Sequence, residues 1–459
     1  MENKQKLTME KIVNLSKGRG FVYPGSDIYG GFANTWDFGP LGVELENNIK
    51  KAWWKRFVQE SDNSYGVDAG ILMNPTVWDA SGHTQNFSDP KMDCKNCKQR
   101  FRADTLIEVH SKGKISAEAM TNAEMEQYIS EHNVCCPACG KKDWTPIRQF
   151  KLMFETSRGT IENDKDTVYL RPETCQGEYV NFLNVARTTR AKVPFAIAQI
   201  GKSFRNEITP GNFLFRTIEF EQMEHQTFCK AEESLPIYGE MKEKAMQFAQ
   251  DVGLPANKLR FHDHEKLAHY AKAACDIQYL FPIGWEELNG IHHRSTWDLS
   301  RHQEFSGKSM LYTDPVTNEK FLPTVVEYSI GVGRLTLALL CEAYDEEILD
   351  NGETRVVMHF NPAVAPYKVA VLPLQKGLSD KAKEVVKLLN KHFMVTYDEA
   401  GSIGKRYRRQ DEIGTPFCVT IDFDTLDDES VTIRDRDSMQ QERVKIADLV
   451  NFITPRITF

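Results

Sequence analysis

The stretch Gln199–Gln226, QIGKSFRNEITPGNFLFRTIEFEQMEHQ, carries Arg205, Asn206 and Glu207 before a Pro210-Gly211 turn and Arg216, Phe220, Glu221, Gln222 and Glu224 after it. A guanidinium never loses its charge and takes two oxygens in one plane, so arginines in both arms suit phosphate. Phe220 could stack on a purine base. The same pattern also fits a solvated hairpin with surface ion pairs. A second arginine motif, Glu327-Tyr-Ser-Ile-Gly-Val-Gly-Arg334, runs into an apolar helix. Gly331 and Gly333 leave room for a bulky group beside the backbone, and Arg334 falls on the first helical turn, where anions are favoured. Glu286 and Glu287 follow the apolar run FPIGW, and a carboxylate there is placed to hold Mg²⁺ on nucleotide phosphates. Glu173 closes TVYLRPET, where a strand turns into a helix; it reads as a substrate ligand or as a helix cap. Cys94-x-x-Cys97 and Cys136-x-x-Cys139 have the spacing of two zinc knuckles, with Cys135 as bystander. Four thiolates leave no open position, so such a zinc is structural; the alternative is four reduced thiols that bind nothing. His262, His264 and His269 match no metalloprotease spacing and read as solvated or core histidines.

These groups need elements to hold them. Pro194–Gly201 reads as a buried strand, and alternation after the turn puts Arg216, Ile218, Phe220 and Gln222 on one face of a second. The expectation is a long antiparallel hairpin. Gly42–Gln59 reads as a helix and Ile71–Trp78 as a strand carrying Pro75. Cys175–Thr188 reads as one helix with Tyr179, Phe182, Leu183 and Ala186 on one face. The glycine- and aromatic-rich residues 20–45 suggest a packed loop or short hairpin. The gap between the cysteine pairs, 38 residues, requires an inserted helix. Residues 227–325 look like a second insertion, and HFNPAVAP (359–366) like a linker. Beyond it, strand and helix patterns alternate as in an α/β domain with a mixed sheet. One of its helices bears Lys405, Arg406, Tyr407, Arg408 and Arg409, basic side chains around an aromatic, which suits single-stranded RNA; a solvated face balanced by Asp411 and Glu412 fits as well.

At 459 residues the chain predicts two or three domains, and 41% hydrophobic residues allow an ordinary core. A net charge of −8 excludes wholesale nucleic-acid binding by charge, so any RNA contact is local. There is no run of eighteen apolar residues, hence no membrane span, and the charged N-terminus lacks a signal-peptide apolar core; a cytoplasmic location is expected. Ten scattered cysteines do not form a disulfide framework.

Helix, proline-bearing segment, arginine hairpin and Gly-Arg helix together resemble the three signature motifs of class II aminoacyl-tRNA synthetases. GSDIYGGFANTWDFGPLGVEL (25–45), RPETCQGEYVNF (171–182), FRNEITPGNFLFRTIEFEQME (204–224) and GKRYRRQDEIGTPFCVTID (404–422) resemble the dimeric type of glycyl-tRNA synthetase. The resemblance implies an α+β catalytic core with an antiparallel sheet flanked by helices (1–80 and 151–360, holding the 227–325 insertion), a cysteine-rich insertion (81–150) and an α/β anticodon-binding domain (361–459). It implies ATP, glycine and tRNA(Gly) as substrates, Mg²⁺, a homodimer with the Pro75 segment at its interface, and no editing domain. Arg205 would grip the α-phosphate and the attacking carboxylate, and Arg334 the γ-phosphate, with Glu207 as the third catalytic residue. Asn206, Phe215, Arg216, Phe220, Leu288, Gly331 and Gly333 would complete the ATP site, and Glu287 would hold Mg²⁺. Glu173, Glu327 and Ser329 would surround the glycine ammonium and Arg294 its carboxylate, with Arg102, Glu221, Gln222 and Glu224 alongside. Two departures stand out: Tyr328 occupies a slot where proline is usual, and Ser295-Thr296-Trp297-Asp298 replaces a threonine-aspartate pair. A non-catalytic nucleic-acid-binding relative is the rival reading.

Overall fold

The computed structural model describes residues 7–115, 117, 120–159, 167–207, 211–264, 267 and 271–459. Its centre is a seven-stranded sheet. In chain order the strands are β1 (Ser64–Gly66), β2 (Phe195–Phe204), β3 (Glu219–Cys229), β4 (Leu259–Asp263), β5 (Ala273–Phe281), β6 (Gly284–Ser295) and β7 (Thr324–Gly331). Spatial order is β4-β5-β6-β7-β3-β2-β1. All neighbours are antiparallel except β1, which runs parallel to β2. Side chains alternate across the sheet, so each strand serves two layers. On one face Met223, Tyr328 and Ile330 pack with Trp53 of helix α1 (Pro40–Trp54), Phe248 of helix Ser234–Asp251, and Leu335 and Leu339 of helix α3 (Val332–Ala343). Tyr328 lies on this face. Its ring sits 4.7 Å from that of Phe57 and 6.5 Å from that of Trp53, so the departure at this slot serves the core and leaves the opposite face untouched. The other face carries Phe195, Ile197, Phe228 and Val325 under Cys175 and Tyr179 of helix α2 (Cys175–Val180), and is open beyond them.

Several expected elements differ. Strand β2 ends at Phe204 and β3 begins at Glu219, so Arg205 and Arg216 sit on the arm between the ladders rather than within them. Pro210 of the expected turn lies outside the described residues, as does His269; Phe213–Phe215 form a 3₁₀ turn. Ile71–Trp78 is not a strand. Pro75 opens a short helix, Thr76–Ala80, because its φ of −53° suits a helical start and Asn74 Oδ1 accepts from the Thr76 N–H at 3.0 Å. The helix expected over Cys175–Thr188 breaks at Asn181, whose Nδ2 donates to the Gly177 carbonyl, and resumes as Phe182–Thr189. Within 227–325, β4, β5 and β6 build one half of the central sheet, because β6 pairs along β7 from Asn289 to Ser295. Residues 20–45 form the expected ribbon, Val22–Pro24 against Trp36–Phe38, with Ile28 (88% exposed) and Tyr29 (86%) at its tip.

The cysteine-rich insertion has its own three-stranded sheet (Ser88–Asp93, Arg100–Arg102, Arg148–Lys151) and core around Met92, Ile107 and Ile129. Two helices fill the gap, Ala103–His110 and Asn122–Glu131; the second starts at a Thr121–Glu124 capping box. The C-terminal domain holds a mixed sheet of five strands: Val395–Tyr397, Val369–Pro373 and Phe417–Ile421 parallel, then Ser430–Asp435 and Gln441–Lys445 antiparallel. Helix α4 (Ile403–Ile413) lies against it. The expected linker is bolted down. Val364 and Ala365 are buried in the catalytic core, and Lys368 Nζ donates to the carbonyls of Pro362, Ala363 and Ala365 at 2.7–2.9 Å. Burial drives that amine down to about 7. Across the seam, fully buried Arg355 pairs with Asp411 at 2.9 Å, and Arg436 donates to the Phe360 carbonyl at 2.8 Å.

Candidate active site

A cleft of about 540 Å³ lies over the open sheet face. Register explains who lines it. Phe220, Gln222, Glu224 and Gln226 alternate along β3; Gln222 pairs with Gly331, Glu224 with Ser329 and Gln226 with Glu327 of β7; Glu327 in turn pairs with His292 of β6, and Ser329 with Gly290. Period 2 also corrects one expectation: Glu221 points to the opposite face, where it pairs with Lys50 of α1 at 2.8 Å. Asn206 does not line the cleft; its backbone N–H donates to the Leu152 carbonyl at 2.8 Å. At the mouth, the Arg205 guanidinium lies over Phe87 (5.3 Å) and Phe220 (5.4 Å), with Nε donating to the Pro172 carbonyl. This cation–π pair orients the fork towards the cleft without spending a carboxylate on it. Arg216 faces Glu207 at 3.6 Å. Arg334, on the first turn of α3, lies over Phe215 (4.6 Å) and pairs with Glu287 at 2.9 Å, which holds the Glu287 carboxyl below its usual range. A Cβ on Gly331 would meet nothing nearer than the Arg334 stem at 4.0 Å, so the space above this glycine is open to a ligand. Leu288, Gly333 and Arg102 also line the cleft. Arg102 is held by Asp104 (2.6 Å) and Asp89 (3.1 Å).

Deeper along β3 the cleft becomes acidic. Glu173, Glu224 and Glu327 meet there with Ser329. Ligand atoms of Cys175, Glu224 and Glu327 lie within 4.8 Å of one another. Glu224 accepts from Thr174 Oγ1 (2.6 Å), Ser329 Oγ (2.8 Å) and Gln222 Nε2 (3.0 Å). Burial, with Glu327 and Glu173 nearby, still pushes it up to about 7. Glu327 goes the other way. Burial raises it, but Arg294 and then His292 outweigh burial and bring it to about 2. Its carboxylate accepts from His292 Nδ1 (2.8 Å), Arg294 Nη1 (3.1 Å) and Gln226 Nε2 (3.1 Å). Glu173 faces His83 Nε2 at 3.5 Å and accepts from Gln176 Nε2 at 2.9 Å; burial raises its carboxyl, but His83, Arg294 and Gln176 together outweigh burial and keep it well below the usual carboxylate range. Two ionised acids and a third poised near neutrality make a pocket for one small cation. Arg294 corrects another expectation. Its fork is closed on Asp298 at 2.8 and 3.0 Å and its Nη1 on Glu327, so it braces the acids instead of offering a free fork to a carboxylate. Asp298, from the departing segment, is thus the partner that keeps Arg294 in place.

Residues 154–344 match the family described as tRNA synthetase class II core domain (G, H, P, S and T), and residues 368–456 the anticodon binding domain. The chain is similar to proteins named glycine–tRNA ligase from Clostridium kluyveri (59% identical, 98% of this chain and 99% of that one), from Alkaliphilus oremlandii (56%, 98% and 99%) and from Caldanaerobacter subterraneus subsp. tengcongensis (57%, 99% and 99%). The chain belongs to the glycine–tRNA ligase family of class II synthetases. No described helix is long and apolar enough to cross a membrane.

In this member of the family, Arg205, Arg216 and Arg334 line the same cleft as Glu173, Glu224 and Glu327. Sequence reasoning missed His83, Gln226, Phe87, Thr174 and Asp89. Gln226 had a usable signal, two residues beyond Glu224 on the same strand face. His83 and Phe87 had none, since they approach from a separate segment. The four cysteines converge as expected. Sγ atoms of Cys94 and Cys139, and of Cys97 and Cys136, lie 3.6 Å apart, while Cys135 is exposed and outside the group. A tetrahedral zinc with ~2.3 Å bonds separates sulfurs by about 3.8 Å, so the set fits that ion. The basic cluster on α4 is mostly spent. Arg406 is buried and donates to the Gly401 and Pro373 carbonyls. Tyr407 bonds Thr420 at 2.6 Å under the Arg434 guanidinium, and Arg409 pairs with Asp398. Lys405 is exposed, Arg409 is exposed beyond its pairing with Asp398, and Arg408, 3.8 Å from Glu353, is half-buried. The helix packs because every third or fourth position turns inward. His264 lines the cleft against Asp276 (2.9 Å), whereas His262 is exposed.

Proposed function

We propose that this chain joins glycine to the 3′ end of tRNA(Gly), first activating it with ATP. The observation that carries the reading is one cleft lined by Arg205 and Arg334 and by Glu173, Glu224, Glu327 and Ser329. In the first step an oxygen of glycine's carboxylate attacks the α-phosphorus in line. The bond to the bridging oxygen breaks, pyrophosphate leaves with the charge, and glycyl-adenylate remains. In the second, a terminal ribose hydroxyl attacks the carbonyl carbon, loses its proton and expels AMP. Negative charge grows on phosphate oxygens in both steps, so positioning and electrostatics do most of the work.

Arg205 takes the α-phosphate, and Arg334 the γ-phosphate beside Glu287. Phe220 receives adenine, and its contact with Arg205 places base and phosphate on one rigid unit. Glu287, ionised and half exposed to the cleft, is the residue that would hold Mg²⁺, which draws charge from the departing phosphates when bound. Glu173, Glu224 and Glu327 hold the ammonium, with Arg294 and His292 fixing Glu327. Every competing amino acid is larger than glycine, so steric exclusion provides the selectivity. Cys94, Cys97, Cys136 and Cys139 are the residues that would hold a structural zinc, which when bound would fasten the insertion whose Arg102 lines the cleft. Lys405 and Arg408 contact the anticodon arm. The working form is a cytoplasmic homodimer, a reading supported by the resemblance to the dimeric type.

The test is amino-acid-dependent ATP–pyrophosphate exchange with all twenty amino acids. Exchange with glycine alone is expected. Exchange with another amino acid would keep the phosphate arm and overturn the pocket; none at all would favour the non-catalytic rival.

A further inference from the structure

A second group of ligand-type side chains lies away from the cleft, at the seam with the C-terminal domain. Tyr344–Ile348 and Thr354–Met358 form an antiparallel hairpin that follows α3. Asp345 and Glu347 are two residues apart and so share one face of its first strand. His359 follows directly after the second strand. One ligand atom from each of Asp345, Glu347 and His359 lies within 4.8 Å of the others, and all three side chains are half-buried on the wall of a separate cleft of about 1370 Å³.

The far side of two of these groups is already tied. His359 Nδ1 bonds Asp437 at 2.5 Å, which directs Nε2 at Glu347 Oε1, 3.1 Å away. Arg355 Nη1 donates to the other oxygen, Glu347 Oε2, at 2.7 Å. Nε2 and Oε1 are thus aimed at each other with an Asp345 oxygen close by, a position that either one proton or one metal ion fills. A carboxylate behind the imidazole and an anchored second oxygen on the acid are how ligands are oriented around divalent metals.

We propose that Asp345, Glu347 and His359 bind a divalent transition-metal cation of the zinc class, separate from the cysteine site. One imidazole and two carboxylates suit zinc, with bonds of about 2.0–2.2 Å and ligand atoms some 3.3 Å apart; rotation of half-buried side chains covers the remaining distance. Because Asp437 belongs to the C-terminal domain and the three ligands to the catalytic domain, the ion clamps the seam.

The test is equilibrium dialysis of the full chain against zinc without ATP, followed by metal counting per chain. The parent is expected to bind one equivalent more than His359→Ala and one more than Glu347→Gln. Asp437→Asn keeps the ligands and is expected to weaken this equivalent by about 10- to 100-fold. A Cys97→Ser/Cys136→Ser chain is expected to keep the His359-dependent equivalent. Glycine-dependent exchange of each variant reports that it has folded; if His359→Ala does not fold, His359→Gln replaces it. Equal zinc content in the parent and in folded His359 and Glu347 variants overturns the proposal and leaves the proton as the bridging cation.

Discussion

Replacing Glu327 by glutamine keeps the shape of the side chain and removes one charge from the acidic pocket. In the parent that carboxylate accepts from Arg294 Nη1 at 3.1 Å, His292 Nδ1 at 2.8 Å and Gln226 Nε2 at 3.1 Å. Arg294 keeps its bonds to Asp298 at 2.8 and 3.0 Å, so the guanidinium is not orphaned. The folding cost therefore stays below the ~3–5 kcal/mol of a buried charge with no partner. Glycine binding loses one charge-assisted hydrogen bond, about 1.5–3 kcal/mol. At about 1.4 kcal/mol per factor of ten, kcat/KM for glycine falls on the order of 10- to 100-fold. KM for ATP serves as the internal control and is expected to stay within about twofold, because Arg205 and Arg334 make no contact with Glu327. Histidine 292 gives a second readout. Burial lowers its affinity for a proton, Glu327 more than offsets this, and the result is a raised pKa. The stability this pair supplies is complete below the ordinary histidine value of 6.5 and fades as pH rises through the higher folded value. Glu327→Gln should abolish that alkaline fade in a thermal-unfolding series. A variant with parental circular dichroism and glycine kcat/KM within twofold of the parent would refute the reasoning.

Arg205→Ala should slow glycine-dependent pyrophosphate exchange by on the order of 10²-fold or more while leaving the fold intact, as loss of a charge-stabilising donor does; near-normal exchange removes it from the phosphate site. Glu224, pushed up to about 7, must lose its proton to hold an ammonium, so KM for glycine should fall as pH rises from 6 to 8. Glu224→Gln should flatten that slope, and a slope unchanged in this variant assigns the titration elsewhere. Lys405→Ala with Arg408→Ala should weaken tRNA charging and spare exchange. Arg406→Ala should instead lower the melting temperature, because it strips the Gly401 and Pro373 carbonyls of a buried donor.

What the sequence made legible was what depends on local period. Alternation along Phe220, Gln222 and Glu224 places three cleft residues, and the same rule, applied strictly, sends Glu221 to Lys50. The Gly331–Arg334 junction and the two cysteine pairs were readable because their spacing is short. Pro75 was not, since a proline in an extended-looking run and one at a helix start look alike until Asn74 closes its turn. The charge state of Arg406 was readable but its burial was not; that depends on carbonyls 5 and 33 residues away in the chain. Strands β4–β6 resembled an insertion because their partner, β7, comes some thirty residues after β6 ends, and a non-local pairing leaves no local signature. His83 reaches Glu173 across 90 residues and is invisible for the same reason.

The seam between the domains carries a mechanical consequence. Arg355 and Arg436, both almost fully sealed from water, each bridge it, and Lys368 rivets the connecting segment through three carbonyls. Opening such a joint would break these buried bonds and bring the apolar surface around Phe360, Val364 and Ala365 into water. These contacts favour a single angle between the two domains. The domains act as the jaws of a caliper, and a substrate that must touch both is measured for the span between its ends before any of its bases is read.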